Sequence, residues 1–276
     1  MTPPAIFDRA ARRLRRDRAT DRFGERDFLR AVMLDGIGER LSSVTRDFAE
    51  VLDLGCFDGA FRLPGARIAR LDPGYRFARA AGGVQGDEDR LPFADGSFDL
   101  VVSAGVLDQV DDLPGALTLI RRVLRPDGLF LGAFAGAGSL PALREAWRAA
   151  EAQRPAARFH PQVDVRAAGD LLVRAGFALP VADVETLNVT YRDLGTLVTD
   201  LRDMAGGNML LTRTPATRTA LAAAAEAFTA AATPDGRTME RFNIIYCTGW
   251  APDPSQPKPA RRGSGAASLA RALGSR

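Results

Sequence analysis

Histidine, cysteine and lysine are almost missing from this chain of 276 residues. His160 is the only histidine, and Cys56 and Cys247 are the only cysteines. A Cys/His zinc cluster and a two-His-one-carboxylate iron site are both excluded for one chain, and no metal is expected. No apolar run approaches the roughly 20 residues of a membrane span, and the N-terminus shows no hydrophobic signal segment. The chain therefore reads as a soluble protein of a reducing compartment, cytoplasmic in a bacterium. Lys258 is the only lysine, so the positive charge is nearly all arginine; with abundant alanine, that composition reads as bacterial and of high coding G+C. The formal charge of +3 collects at the chain ends without interleaved aromatics, so no nucleic acid partner is expected.

What is present begins with Val51-Leu52-Asp53-Leu54-Gly55-Cys56-Phe57-Asp58-Gly59, an apolar run entering a glycine-bearing turn. Doubly wound α/β folds use such a turn to bring bare backbone against a nucleotide-like ligand at the end of the first strand. Gly55 and Gly59 can equally serve only to shape a tight loop. A second short strand, Ile68 to Leu71, ends at Asp72, about where such a site places an acid for ribose hydroxyls. Val84-Gln85-Gly86 then ends at Asp87, and Phe98 to Ser103 is a continuous apolar run suited to the middle of a parallel sheet. Asp111 and Asp112 cap a helix through Leu124, Arg125-Pro126-Asp127-Gly128 ends it, and Leu129 to Phe134 is a fifth strand. Strand and helix alternating over residues 51–134 predict an α/β fold with a doubly wound, mostly parallel sheet.

Around this core, Ala5 to Leu41 reads as helical, with an apolar stripe among arginines and acids. This basic amphipathic segment is expected to cover a core; a membrane-surface or partner role is the alternative. Asp8, Asp17 and Asp21 break any likeness to an organelle transit peptide. Helices are expected at 140–152, 167–175, 194–204 and 216–232, and late strands at 180–184 and 242–249. The organisation is then a helical cap (1–45), an α/β domain (46–251) with a helical insertion at about 194–232 before the last strand, and a disordered Pro-rich tail (252–276).

The set Asp53-Leu54-Gly55-x-x-x-Gly59, Asp72, Asp87, Leu91-Pro92-Phe93, Ser97 to Val101 and Leu124 to Gly128 resembles the class I S-adenosylmethionine-dependent methyltransferases, with a Rossmann-like fold. The resemblance implies S-adenosyl-L-methionine as cofactor. It would be held by Asp53, Gly55, Phe57, Gly59 and Ser103, with Asp72 on the ribose and Asp87 at the adenine amine. A narrower resemblance spans most of the chain. Ile6-Phe7-Asp8-Arg9, Asp112 to Leu117, Arg174 to Pro180, Val189-Thr190-Tyr191 and Ile244-Ile245-Tyr246-x-Thr248-Gly249-Trp250 look like the complex I assembly factor 5 type and its bacterial relatives.

That likeness implies an enzyme modifying a protein side chain in respiratory complex I assembly, with a complex I subunit as client and peripheral association at the inner face of the membrane. Arginine hydroxylation, non-catalytic assembly and methylation of a small molecule are the alternatives. Asp108, Tyr191 and Asn188 are candidates at the substrate mouth, and His160 reads as a loop residue. Two positions depart from the pattern. Phe57 stands where the family has its middle glycine and crowds the approach of the cofactor's methionine end. Asp108 stands where relatives carry a His-Trp pair.

Overall fold

The computed structural model describes residues 5–257. A seven-stranded sheet runs in the order β3-β2-β1-β4-β5-β7-β6, from β1 (Glu50–Leu54), β2 (Arg67–Asp72), β3 (Val84–Gln85), β4 (Phe98–Ala104), β5 (Leu124–Ala135), β6 (Ala178–Tyr191) and β7 (Thr238–Trp250). Strands β1 to β5 pair in parallel, and β7 lies antiparallel to both β5 and β6. This is the Rossmann-like class I methyltransferase architecture the sequence implied. Strand β4 is buried throughout because both faces of the sheet are covered there. Leu52, Leu54, Val101 and Phe130 face a core closed by α5 (Leu113–Val123) and α7 (Val165–Arg174). On the other face, Val51, Leu100, Val102 and Leu131 meet Met33 and Ile37 of α3 (Phe28–Ser42).

The N-terminal helix expected over residues 5–41 is broken into α1 (Arg9–Ala19), α2 (Phe23–Arg26) and α3. The breaks fall at the Thr20–Arg22 turn and at Asp27, where the chain bends over the carboxyl edge of the sheet. The crossovers also depart from strict alternation. Helix α4 (Tyr75–Ala80) links β2 to β3, but β1 reaches β2 through residues 55–66 with no helix. Pro64 and Gly65 end that connection before a helix can pack, leaving a groove of about 980 Å³ lined by Leu34, Leu41, Phe48, Phe61 and Leu63. The remaining helices, α6 (Pro141–Ala150), α8 (Leu194–Asp203) and α9 (Arg218–Ala230), bury Leu143, Leu197, Phe228 and Phe242.

Strands β6 and β7 are far longer than expected, pairing from Ala178↔Trp250 to Tyr191↔Thr238. Their outer halves carry alternating polar residues that hid them in the sequence. Of the tail expected at 252–276, residues 252–257 are described: Gln256 donates to Asp127 and to the Ala251 carbonyl. The rest lies outside the described residues. Among the described residues no helix is long and apolar enough to cross a membrane.

Candidate functional site

The turn after β1 is held on β2: the Gly55 and Cys56 amides donate to the Leu71 carbonyl at 2.8 and 3.0 Å. Gly55 has φ +76° and Gly59 φ +69°. A Cβ at Gly55 would lie 2.4 Å from Val106, and one at Gly59 2.9 Å from Arg70. Both glycines are therefore required by conformation and internal packing. Phe57, between them, also has a left-handed backbone, at φ +48°, which costs about 1 kcal/mol for a residue with a side chain.

What holds Phe57 there is its side chain and its amide. The ring is buried and stacks on Phe23 of α2 at 4.6 Å, with Phe77 of α4 edge-on at 5.4 Å. The Arg16 guanidinium of α1 lies 3.7 Å from the ring centroid, so Phe57 is held between Phe23 and a cation. The Phe57 amide donates to Asp72 Oδ2 at 2.9 Å.

Asp72, at the end of β2, is fully buried and fully engaged. Arg16 grips it bidentately, Nε to Oδ1 at 2.9 Å and Nη2 to Oδ2 at 2.5 Å. The Gly74 amide donates to Oδ1 at 2.7 Å. Each carboxylate oxygen thus accepts two hydrogen bonds, all from the chain itself.

Arg16 is the last of four arginines on one face of α1, at the i, i+3, i+4, i+7 spacing of Arg9, Arg12, Arg13 and Arg16. Asp8 caps the helix by accepting from Ala11. Arg12 forms a bidentate pair with buried Glu88 at 2.6 and 2.8 Å, and Arg13 reaches Asp87 at 2.7 Å. Arg9 pairs with Asp89 and lies 3.3 Å from Asp87. Asp111 accepts from the Ile6 and Phe7 amides. The face offered by the sequence as a partner surface is thus spent internally, on acids 56 to 80 residues away. Of these arginines the sequence marks only Arg9, within Ile6 to Arg9, although the spacing of all four is readable.

The other expected residues divide. Asp53, at the end of β1, is buried with both oxygens unpartnered, 3.7 Å from Arg30 of α3, and burial pushes its pKa up to about 6. Arg30 also donates to the Cys56 carbonyl and lies 5.0 Å from the Phe57 ring. Ser103 is buried with an unpartnered hydroxyl. Asp108 follows β4 in a short 3-10 turn with Oδ1 unpartnered, its pKa raised to about 6 by burial against the pull of Arg12 and Arg16.

Tyr191 and Asn188 are not brought to this edge. Tyr191 is buried in the cluster under α6, α8 and α9, where burial and Asp200 hold its pKa above the ordinary range, and Asn188 is exposed on the edge strand β6. Their spacing on β6 carried no information about which end of the molecule they serve. His160 accepts from the Met209 amide at 3.0 Å and packs edge-on to Phe7, so it is a structural residue. Cys56 is buried and its thiol is pushed up by burial, which removes it as a nucleophile.

The methyltransferase domain family matches residues 52–132, the span from β1 to β5. An arginine-hydroxylase NDUFAF5, mitochondrial, from Danio rerio is 34% identical over 96% of this chain and 88% of its own. A malonyl-[acyl-carrier protein] O-methyltransferase from Laribacter hongkongensis is 30% identical over 91% of this chain and 92% of its own. The chain belongs to the class I methyltransferase family. In fold, the YcgJ protein of Bacillus subtilis superposes with a TM-score of 0.56 at 16% identity, over 79% of this chain and 99% of that one.

S-adenosyl-L-methionine is the cofactor of this family. The residues as arranged do not fit it at three points. Asp72 has no acceptor capacity left for ribose hydroxyls. The Phe57 ring and the Arg16 guanidinium fill the space against the Gly turn. A sulfonium cation would also join the Arg16 and Arg30 guanidinium groups around one ring. Asp53, Ser103 and Asp108 keep unpartnered buried oxygens that a ligand could satisfy. The misfit is therefore localised at Phe57, Arg16 and Asp72.

Proposed function

We propose that the protein is an S-adenosylmethionine-dependent enzyme of the methyltransferase fold that modifies a side chain of a protein client in respiratory complex I assembly. The observation that carries the cofactor part of this reading is the set of buried, unpartnered oxygens of Asp53, Ser103 and Asp108 at the carboxyl edge, which a ligand could satisfy. Glu88 and Asp89, which the cofactor does not claim and which bind Arg12 and Arg9 of the chain itself, suit an arginine-bearing client, in keeping with relatives named arginine hydroxylases. Asp53, Asp87, Ser103 and Asp108 would line the cofactor crevice, together with Asp72 once it is released. Methyl transfer needs mainly alignment of nucleophile and methyl donor.

Hydroxylation of the same client is the second reading, favoured by the relatives' name. It needs an oxidant normally supplied by a metal or organic cofactor, and among the described residues no three His, Cys, Asp or Glu side chains stand close enough to hold a metal. Binding without chemistry is the third, favoured by the engaged state of Asp72. Mass spectrometry of complex I subunits from cells lacking the protein separates them. Loss of a nominal ~14 Da increment on an arginine supports methylation and loss of ~16 Da hydroxylation, the masses of a methylene and an oxygen set by which group is transferred. Unchanged marks with failed assembly leave binding alone.

A further inference from the structure

The same carboxyl edge carries an inference that rests on the cofactor reading above and deepens it. We infer that α1 is an internal competitor of the cofactor: Arg16 occupies the ribose acid Asp72 from within, and cofactor binds only to a form in which α1 has lifted.

Three independent contacts support this. Arg16 satisfies both oxygens of Asp72 and covers one face of Phe57, so its guanidinium takes a hydrogen-bonding role and a stacking role that a nucleoside would need. Arg9 and Arg13 engage Asp87, the acid expected at the adenine, by the same helix. Arg12 closes the row on Glu88, whose carboxylate is fully buried.

The helix is joined to the edge mainly by polar contacts. Leu14, on its outer face, is half exposed, and α1 contributes only Ala19 at its C-terminal end to the main hydrophobic core. Its docking is electrostatic rather than apolar. Phe7, just before the helix, is tied to a separate small cluster with Met209 and Leu210 through the Asp8-to-Met209 backbone bond. The segment is anchored at its start by that small cluster, along its length by ion pairs and at its end by Ala19, so lifting it breaks these contacts while the strand pairing of the sheet stays intact. Freed in this way, Asp72 and Asp87 are available to cofactor, and Glu88 and Asp89 to an arginine-bearing client. An internal occupant of this kind lowers apparent affinity by the fraction of molecules that are open.

The test is calorimetric titration of S-adenosylmethionine and of S-adenosylhomocysteine into the full chain and two variants. Arg16→Met keeps the aliphatic volume and removes the grip on Asp72. Arg9→Ala with Arg13→Ala loosens α1 through pairs whose arginines reach solvent, without touching the Phe57 stack, and it keeps the test alive if Arg16→Met does not fold. Competition predicts at least tenfold tighter binding in either variant than in the unaltered chain. Equal affinity in all three overturns the competition while leaving the cofactor reading standing, and so does weaker binding in Arg16→Met, which would make Arg16 a cofactor ligand. Absence of binding at millimolar ligand in all three overturns the competition together with the cofactor reading.

Discussion

Arg16 and Asp72, 56 residues apart, form a bidentate ion pair in which neither side chain reaches solvent. Each is left as an uncompensated buried charge when the other is removed, a loss of about 3–5 kcal/mol for either single substitution. Arg16→Met with Asp72→Asn removes both charges together. The double variant is expected to lose less in urea unfolding than the sum of the two single losses, with a coupling energy of about 1–3 kcal/mol. Additive losses would mean that the pair is not a unit.

Phe57 combines a strained backbone with a buried ring. Phe57→Gly relieves about 1 kcal/mol of left-handed strain but empties a site enclosed by Phe23, Phe77 and Arg16. Aromatic truncations of that kind cost about 3–5 kcal/mol. A net loss of roughly 2–4 kcal/mol in denaturant unfolding is expected. A stabilised variant would show that the ring is not packed as described.

Two glycines of α3 give opposite results on replacement by alanine. A Cβ at Gly36 would lie 2.3 Å from the hydroxyl of Tyr246, which donates to the Val32 carbonyl, whereas Gly38 has open space around it. Gly38→Ala is expected to stabilise by about 0.5–1 kcal/mol through helix propensity. Gly36→Ala is expected to destabilise by about 1–3 kcal/mol through overpacking. Thermal melts of the two variants check the pair.

Asp53 makes stability depend on pH. Its folded pKa of about 6 lies above the ordinary value of 3.8, because burial disfavours its charge. The native state holds that proton more tightly than the unfolded chain, so this contribution is full below about pH 4 and is lost as pH rises through 6. Asp53→Asn should match the unaltered chain at pH 4 and exceed it at pH 8 by on the order of 2–3 kcal/mol. His160 acts in the opposite sense. Burial lowers its pKa to about 4, so its contribution is present above pH 6.5 and lost as pH falls through 4. His160→Ala should flatten the acid limb of the stability profile between those values.

Much of the fold was readable because burial writes itself into composition. β4 and the inner half of β5 are unbroken apolar runs, and Asp72 announced itself by closing a short strand at the expected distance from the Gly turn. The helix missing between β1 and β2 left only a faint mark, Pro64-Gly65 in a connection of a dozen residues. The outer half of β6 was hidden because Glu185, Thr186, Asn188 and Thr190 stand on an edge whose exposed positions need no apolar side chains. At the site, Phe57 was legible as a departure and its crowding effect follows from its size. What it packs against was not, since Arg16 and Phe77 meet it only through tertiary structure. The arginine stripe of α1 was visible as a helical face, but whether such a face meets solvent, membrane or the chain's own acids is decided by residues 56 to 80 positions away.

The most direct test of the central claim is amide hydrogen exchange across residues 9–19, measured on the full chain without ligand and with saturating S-adenosylhomocysteine. Competition predicts that ligand speeds exchange in α1, because its arginines surrender Asp72 and Asp87, while the amides of β1 and β4 slow or hold constant. Slower exchange in α1 with ligand bound would show that the helix closes over the cofactor, and would contradict the account.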